Sequence, residues 1–234
     1  MVLPWLAHVY TALGAGTALA ATLAVVDGDF RTAFLWLIAA VVIDATDGTL
    51  ARALRVKERL PSFDGAALDN LVDYLTYVFV PVLLMLRAGL LPAGPAGSAV
   101  GVAVLLASAY GFNRGDAKVV TTDHFFTGWP SYWNILALYL YLWRLSPAAN
   151  AGILLVLAIL VLVPIRYVYP SRTVTLRVPT LILGAVWGIL VLVVVWRLPA
   201  TDGPWFALSH VSPIYYYALS LWLHGRDRAA GPLA

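Results

Sequence analysis

The chain has 234 residues, 62% of them hydrophobic and 12% charged, with a formal net charge of +3. A soluble domain carries about a quarter charged residues, so this composition excludes an ordinary water-soluble protein, and the small net charge excludes a basic nucleic-acid-binding field. With no cysteine, disulfides, thiolate metal sites and cysteine nucleophiles are excluded as well.

A helix that crosses a bilayer needs about 20 mostly apolar residues. Eight segments qualify, at about residues 4–26, 32–55, 65–88, 96–113, 130–147, 149–169, 178–198 and 204–223. They predict an all-α polytopic membrane protein in which residues 1–234 form a single integral-membrane domain. The first segment has no basic residue before its apolar run, so it reads as a retained helix rather than a cleaved signal. Turn-forming residues separate the segments: Asp27-Gly28-Asp29 after the first, Pro61-Ser62 before the third, Pro92-Ala93-Gly94-Pro95 before the fourth and Asp202-Gly203-Pro204 before the last. Pro81, Pro164 and Pro213 fall inside predicted spans, where a kink is tolerated.

The basic residues set an orientation. Arg52, Arg55, Lys57, Arg59, Arg114, Lys118, Arg166, Arg172, Arg177, Arg226 and Arg228 share one side, and Arg31, Arg87, Arg144 and Arg197 the other. The positive-inside bias then makes the richer side cytoplasmic, with both termini there.

The second and third predicted spans carry the chemistry. Asp44, Asp47, Gly48, Ala51, Arg52 and Arg55 recur at steps of three and four residues, which is one face of a helix. Gly65, Asp69, Asp73 and Tyr77 repeat every four residues and form a second stripe. Carboxylates in an apolar setting are costly and repel one another, so some are protonated or a cation sits among them. Two facing stripes of two acids each make a socket for hard cations with oxygen ligands, such as Mg²⁺ or Mn²⁺. Gly48, Ala51 and Gly65 leave room for a bulky ligand on the same faces. Arg52 adds a guanidinium that grips phosphate. Together these features describe a site for a nucleotide diphosphate.

The pattern Asp44-x2-Asp47-Gly48-x2-Ala51-Arg52 with Gly65-x3-Asp69-x3-Asp73 fixes eight positions across 30 residues. It resembles the signature of the CDP-alcohol phosphotransferases, integral membrane enzymes of phospholipid synthesis. The 12 residues between Arg52 and Gly65 form a longer interval than most of that family has. With the flanking segments 55–61 and 68–78, and the block from Asp116 to Asn134, this spacing is similar to the branch whose acceptor is choline. The resemblance covers about residues 5–140, and eight helices agree with that branch. It implies the helical bundle of the family. It also implies two divalent cations, Mn²⁺ or Mg²⁺, held by Asp44, Asp47, Asp69 and Asp73 around the diphosphate of CDP-diacylglycerol. Asp44, Gly48, Ala51, Arg52 and Gly65 are then expected to bind that substrate, with Asp73 as general base on the alcohol. The expected reaction is direct displacement of CMP by choline at the cytoplasmic face of a bacterial inner membrane. A homodimer is a further expectation from the resemblance.

Segment 114–134 offers Asp116, Asp123, His124, Phe125, Phe126, Trp129, Tyr132 and Trp133. Aromatic faces with nearby acids recognise a quaternary ammonium, yet Trp and Tyr also gather at membrane interfaces regardless of function. The residues alone leave these readings even, and the resemblance favours choline binding by some of them. His8 and Thr11 on the first predicted helix are candidates to face the site. Two other functions compete. One is the same transfer to serine, inositol or a glycerol phosphate, for which an anionic acceptor calls for more cationic residues than Arg114 and Lys118. The other is a cation transporter, which would place acids near mid-membrane on several helices rather than at one end of two.

Overall fold

The computed structural model describes residues 2–114, 118–120, 124–200 and 203–229. In chain order its helices are α1 (Val2–Asp27), α2 (Phe30–Ala53), α3 (Val56–Arg59), α4 (Gly65–Asp73), a π-helical stretch (Tyr74–Phe79), α5 (Val80–Arg87), α6 (Pro95–Asn113), α7 (Trp133–Trp143), α8 (Pro147–Leu162), α9 (Arg177–Arg197), α10 (Trp205–Ser209) and α11 (Val211–Ala229). Strands β1 (Lys118–Val120), β2 (His124–Thr127) and β3 (Arg166–Val168) pair antiparallel in the order β1-β2-β3. The chain divides into two compact units, Met1–Ser108 with Tyr132–Leu155, and Ala109–Ser131 with Val156–Ala234.

Among the described residues, five helices are long and apolar enough to cross a membrane: Leu3–Asp27, Phe30–Ala53, Gly65–Arg87, Pro95–Asn113 and Arg177–Arg197. The third of these is α4, the π-helical stretch and α5 run end to end. Leu19, Leu106 and Ile189 on these helices are each more than 60% exposed. Such apolar surface suits lipid tails, and the protein is a multi-pass membrane protein.

Helices stand at all eight predicted positions, but the later ones depart from the expected lengths. α7 has 11 residues and α8 has 16, short for a straight crossing. The predicted span 149–169 stops at Leu162, because Pro164 has no N–H to continue the helix and Arg166 opens β3 instead. The predicted span 204–223 breaks at His210 into α10 and α11. α11 then buries Leu219 and Leu223 against Phe125 and Val168.

In the first unit α1 packs along α2 and also against α4 and α5. Gly14 lets α1 come close to α4, since a side chain there would collide with Val72. Asp29 caps α2 by accepting from the Thr32 N–H at 3.0 Å, and Asp64 caps α4 by accepting from the Ala66 and Ala67 N–H groups at 3.1 and 3.0 Å. The long interval between Arg52 and Gly65 is ordered. Arg55 turns the chain in the left-handed conformation (φ 50°), and α3 follows with Val56 buried. The π-helical turns directly precede Pro81, which removes an N–H and crowds the carbonyl one turn back. The wider turn relieves both, and the Val80 N–H bonds Leu75 O.

In the second unit α11 covers the edge of β3. Ser220 Oγ accepts from the Val168 N–H at 3.0 Å, and the Tyr216 hydroxyl donates to Val168 O at 3.1 Å. These side chains satisfy backbone groups that an open strand edge would expose.

Candidate active site

The two acidic stripes converge. Asp44 and Asp47 on α2 and Asp69 on α4 each offer a carboxylate oxygen, all within 4.8 Å of one another. Asp47 is buried, while Asp44 and Asp69 are half-buried. Asp73 lies one turn beyond Asp69, half-buried, and stands outside this mutually close trio.

Hydroxyl groups from other helices hold two of the acids. The Tyr77 hydroxyl, in the π-helical stretch, donates to Asp44 Oδ2 at 2.7 Å. The Thr11 hydroxyl on α1 donates to Asp47 Oδ2 at 2.8 Å. Beside them Tyr10 and Thr46 share a hydrogen bond of 2.8 Å between their hydroxyls, tying α1 to α2. Each hydroxyl–carboxylate bond contributes about 1.5–3 kcal/mol. Three like charges this close repel by about 3 kcal/mol per pair at an effective dielectric near 20. A divalent cation among these carboxylates would offset the repulsion between them. The donor set is hard oxygen throughout and fits such an ion.

Thr11 and Tyr77 fix the carboxylate planes without being ligands themselves. Outer partners of this kind are worth about 10–100-fold in metal affinity or activity. Thr11→Val and Tyr77→Phe are each expected to raise the Mn²⁺ concentration for half-maximal activity by about 10-fold or more, with smaller losses at saturating metal. A metal titration of turnover checks this, and an unchanged half-point in both variants would count against the arrangement.

Two of the motif's small residues sit close against other side chains. A Cβ on Gly48 would lie 3.2 Å from an Arg52 guanidinium nitrogen, and one on Gly65 would lie 2.7 Å from His8 Cε1. Arg52 and His8 are thus the side chains nearest to these two glycines. Arg52 is exposed and donates to Thr49 Oγ1 at 2.9 Å, and Ala51 is half-buried beside it.

The aromatic segment separates into several environments. Asp116 and Asp123 lie outside the described residues. Phe125 is fully buried in the core with Val168, Leu219 and Leu223. Phe126 stacks on Tyr169 with centroids 4.3 Å apart. Trp129 is buried and donates its indole N–H to the Tyr217 hydroxyl at 2.8 Å. His124 is half-buried, and its Nδ1 is buried with no partner among the described residues. In the other unit Trp133 is fully buried and donates to Ser108 Oγ at 2.7 Å. Tyr132 is half-buried, its ring 6.1 Å from the Tyr77 ring that holds Asp44. Thr11 and Tyr77 were legible as facing residues from their helical spacing, but Tyr10 and Thr46 carried no signal that set them apart.

A family model described as CDP-alcohol phosphatidyltransferase matches residues 4–165. The chain is 39% identical to the phosphatidylcholine synthase of Pseudomonas aeruginosa, over 95% of this chain and 92% of that one. It is 40% identical to the phosphatidylcholine synthase of Legionella pneumophila, over 88% and 82% respectively. To that of Borreliella burgdorferi it is 35% identical over 76% and 74%.

Proposed function

Because this chain belongs to the CDP-alcohol phosphatidyltransferase family, we propose that it transfers the phosphatidyl group of CDP-diacylglycerol to choline, giving phosphatidylcholine and CMP. The observation that carries this is the convergence of Asp44, Asp47 and Asp69 within 4.8 Å, inside the motif of a chain whose relatives are phosphatidylcholine synthases.

Asp44, Asp47, Asp69 and Asp73 would hold two divalent cations, Mn²⁺ or Mg²⁺. Bound there, such ions supply charge neutralisation of the diphosphate and stabilisation of the departing CMP. The chain's own groups do the rest. Arg52 takes a phosphate oxygen, while Asp44 with Gly48, Ala51 and Gly65 lines the nucleotide site. Thr11 and Tyr77 keep two carboxylates from rotating. Asp73, outside the close trio, accepts the proton of the choline hydroxyl. The choline oxygen bonds to the phosphatidyl phosphorus as the phosphorus–oxygen bond to CMP breaks.

Of the aromatic candidates, Tyr132 is the one we favour for the quaternary ammonium, because its ring neighbours Tyr77 in the same unit as the acids. His124, Phe126 and Trp129 stay candidates for the same role, as do Asp116 and Asp123, while Phe125 and Trp133 serve packing first. Residues 1–234 are proposed to act as one integral-membrane domain in a bacterial inner membrane, as a homodimer. The acids then open to the cytoplasm, where the basic residues concentrate.

The test is an acceptor panel. Purified protein with CDP-diacylglycerol and Mn²⁺ is expected to release CMP chiefly with choline, and Tyr132→Leu to raise the KM for choline about 5-fold or more while sparing that for CDP-diacylglycerol. Faster release with serine, inositol or glycerol phosphate would move the assignment to another acceptor. No release with any alcohol would remove the reaction class.

A further inference from the structure

We propose that His8 is a substrate-binding residue whose Nε2 hydrogen-bonds the cytidine end of the liponucleotide. The inference rests on the phosphatidyl-transfer reading above and assigns to it a residue outside the acidic motif.

His8 is 8% exposed, and its Nε2 is buried with no partner among the described residues. A buried polar atom left unpaired is destabilising, and Leu or Phe would fill the same volume without that cost. The imidazole is held in one place. Its ring lies over Gly65, where any Cβ would meet Cε1 at 2.7 Å. Phe63 packs on it at 4.3 Å between centroids, and Trp5 edges it at 5.9 Å.

Its position relative to the acids selects the ligand. His8 is one helical turn before Thr11, which bonds Asp47, and Gly65 is one turn before Asp69. Both steps run toward the helix ends at which α4 begins and α2 finishes, a displacement of about 5 Å from the carboxylates. A diphosphate held at the carboxylates has two ends. The diacylglycerol end must run out among the acyl chains, and the nucleoside end leaves toward the water-facing loops. Phe63 and Trp5 there remain 38% and 46% exposed, offering ring faces beside the imidazole. Choline does not suit Nε2. Its ammonium neither donates nor accepts a hydrogen bond, and its hydroxyl must sit at the reacting phosphorus. The cytosine and ribose both carry groups that pair with an imidazole nitrogen.

The full-length protein is assayed with CDP-diacylglycerol, choline and Mn²⁺, comparing His8→Leu, His8→Gln and His8→Asn. The Gln amide nitrogen reaches the place of Nε2, whereas that of Asn reaches only the place of Nδ1. His8→Leu and His8→Asn are expected to raise the KM for CDP-diacylglycerol and the inhibition constant of CMP about 10-fold, leaving the KM for choline within about 2-fold. His8→Gln is expected to recover most of the loss. Should His8→Leu not fold, the Gln–Asn contrast carries the same information. Equal behaviour of all variants in an active enzyme, or a change in the choline KM in place of the nucleotide one, overturns the inference and leaves the reaction standing. A wild-type protein that releases no CMP overturns the reaction instead.

Discussion

Asp69→Asn is expected to cut CMP release by about 10³-fold and to abolish the response of the protein to Mn²⁺. Of the three acids that converge within 4.8 Å, Asp44 and Asp47 share α2, and Asp69 alone comes from α4. Without its charge, only two carboxylates of the trio remain, both on α2. A second consequence has the opposite sign. In the metal-free protein the trio repels, so removing one charge relieves strain. The metal-free variant is therefore expected to melt at or above the temperature of the metal-free wild type, although it is inactive. Added Mn²⁺ should raise the melting temperature of the wild type, because the ion binds the folded form, and leave the variant unmoved. A thermal melt with and without metal reads both effects. A variant that melts well below the wild type without metal, or one stabilised by Mn²⁺ as the wild type is, would contradict the trio as an ion-binding site.

What could be foreseen from the sequence divides along the range of the forces involved. The α2 and α4 stripes were legible because the 3.6-residue period is a local property, and it places Asp44 with Asp47 on one face of α2 and Asp69 with Asp73 on one face of α4. The same period put Thr11 three residues after His8 and Tyr77 four after Asp73, and both hydroxyls do reach the acids. Distant pairing was not legible. β3 at Arg166–Val168 exists because β2, some 40 residues earlier in the chain, offers a ladder to it, and an apolar window reads only as a helix there. The shape of the small-residue gaps was also hidden. Gly48 and Gly65 announce space, but only the packing tells that Arg52 and His8 are the side chains that border it. The π-helical stretch follows from Pro81, yet its width cannot be read from a proline alone, since other helices meet prolines with a kink or an end.

Asp73→Asn is expected to lower kcat by about 10²–10⁴-fold while leaving most of the Mn²⁺ stabilisation in place. The distinction from Asp69 comes from position. Asp73 ends α4 one turn past Asp69, and it does not belong to the trio, so a cation held by the trio would keep its three carboxylates when Asp73 becomes neutral. An amide of the same shape preserves packing next to Tyr77 and cannot accept the proton of an attacking alcohol. The loss should therefore fall on kcat, with the KM for CDP-diacylglycerol within a few-fold of the wild type, which marks an interaction made in the transition state rather than in substrate binding. If instead Asp73→Asn loses the metal-induced rise in melting temperature as completely as Asp69→Asn, Asp73 is a ligand first, and the base must be sought among other groups at the site. Measuring both variants side by side separates holding the ions from moving the proton, two roles that four acids in one motif otherwise make indistinguishable.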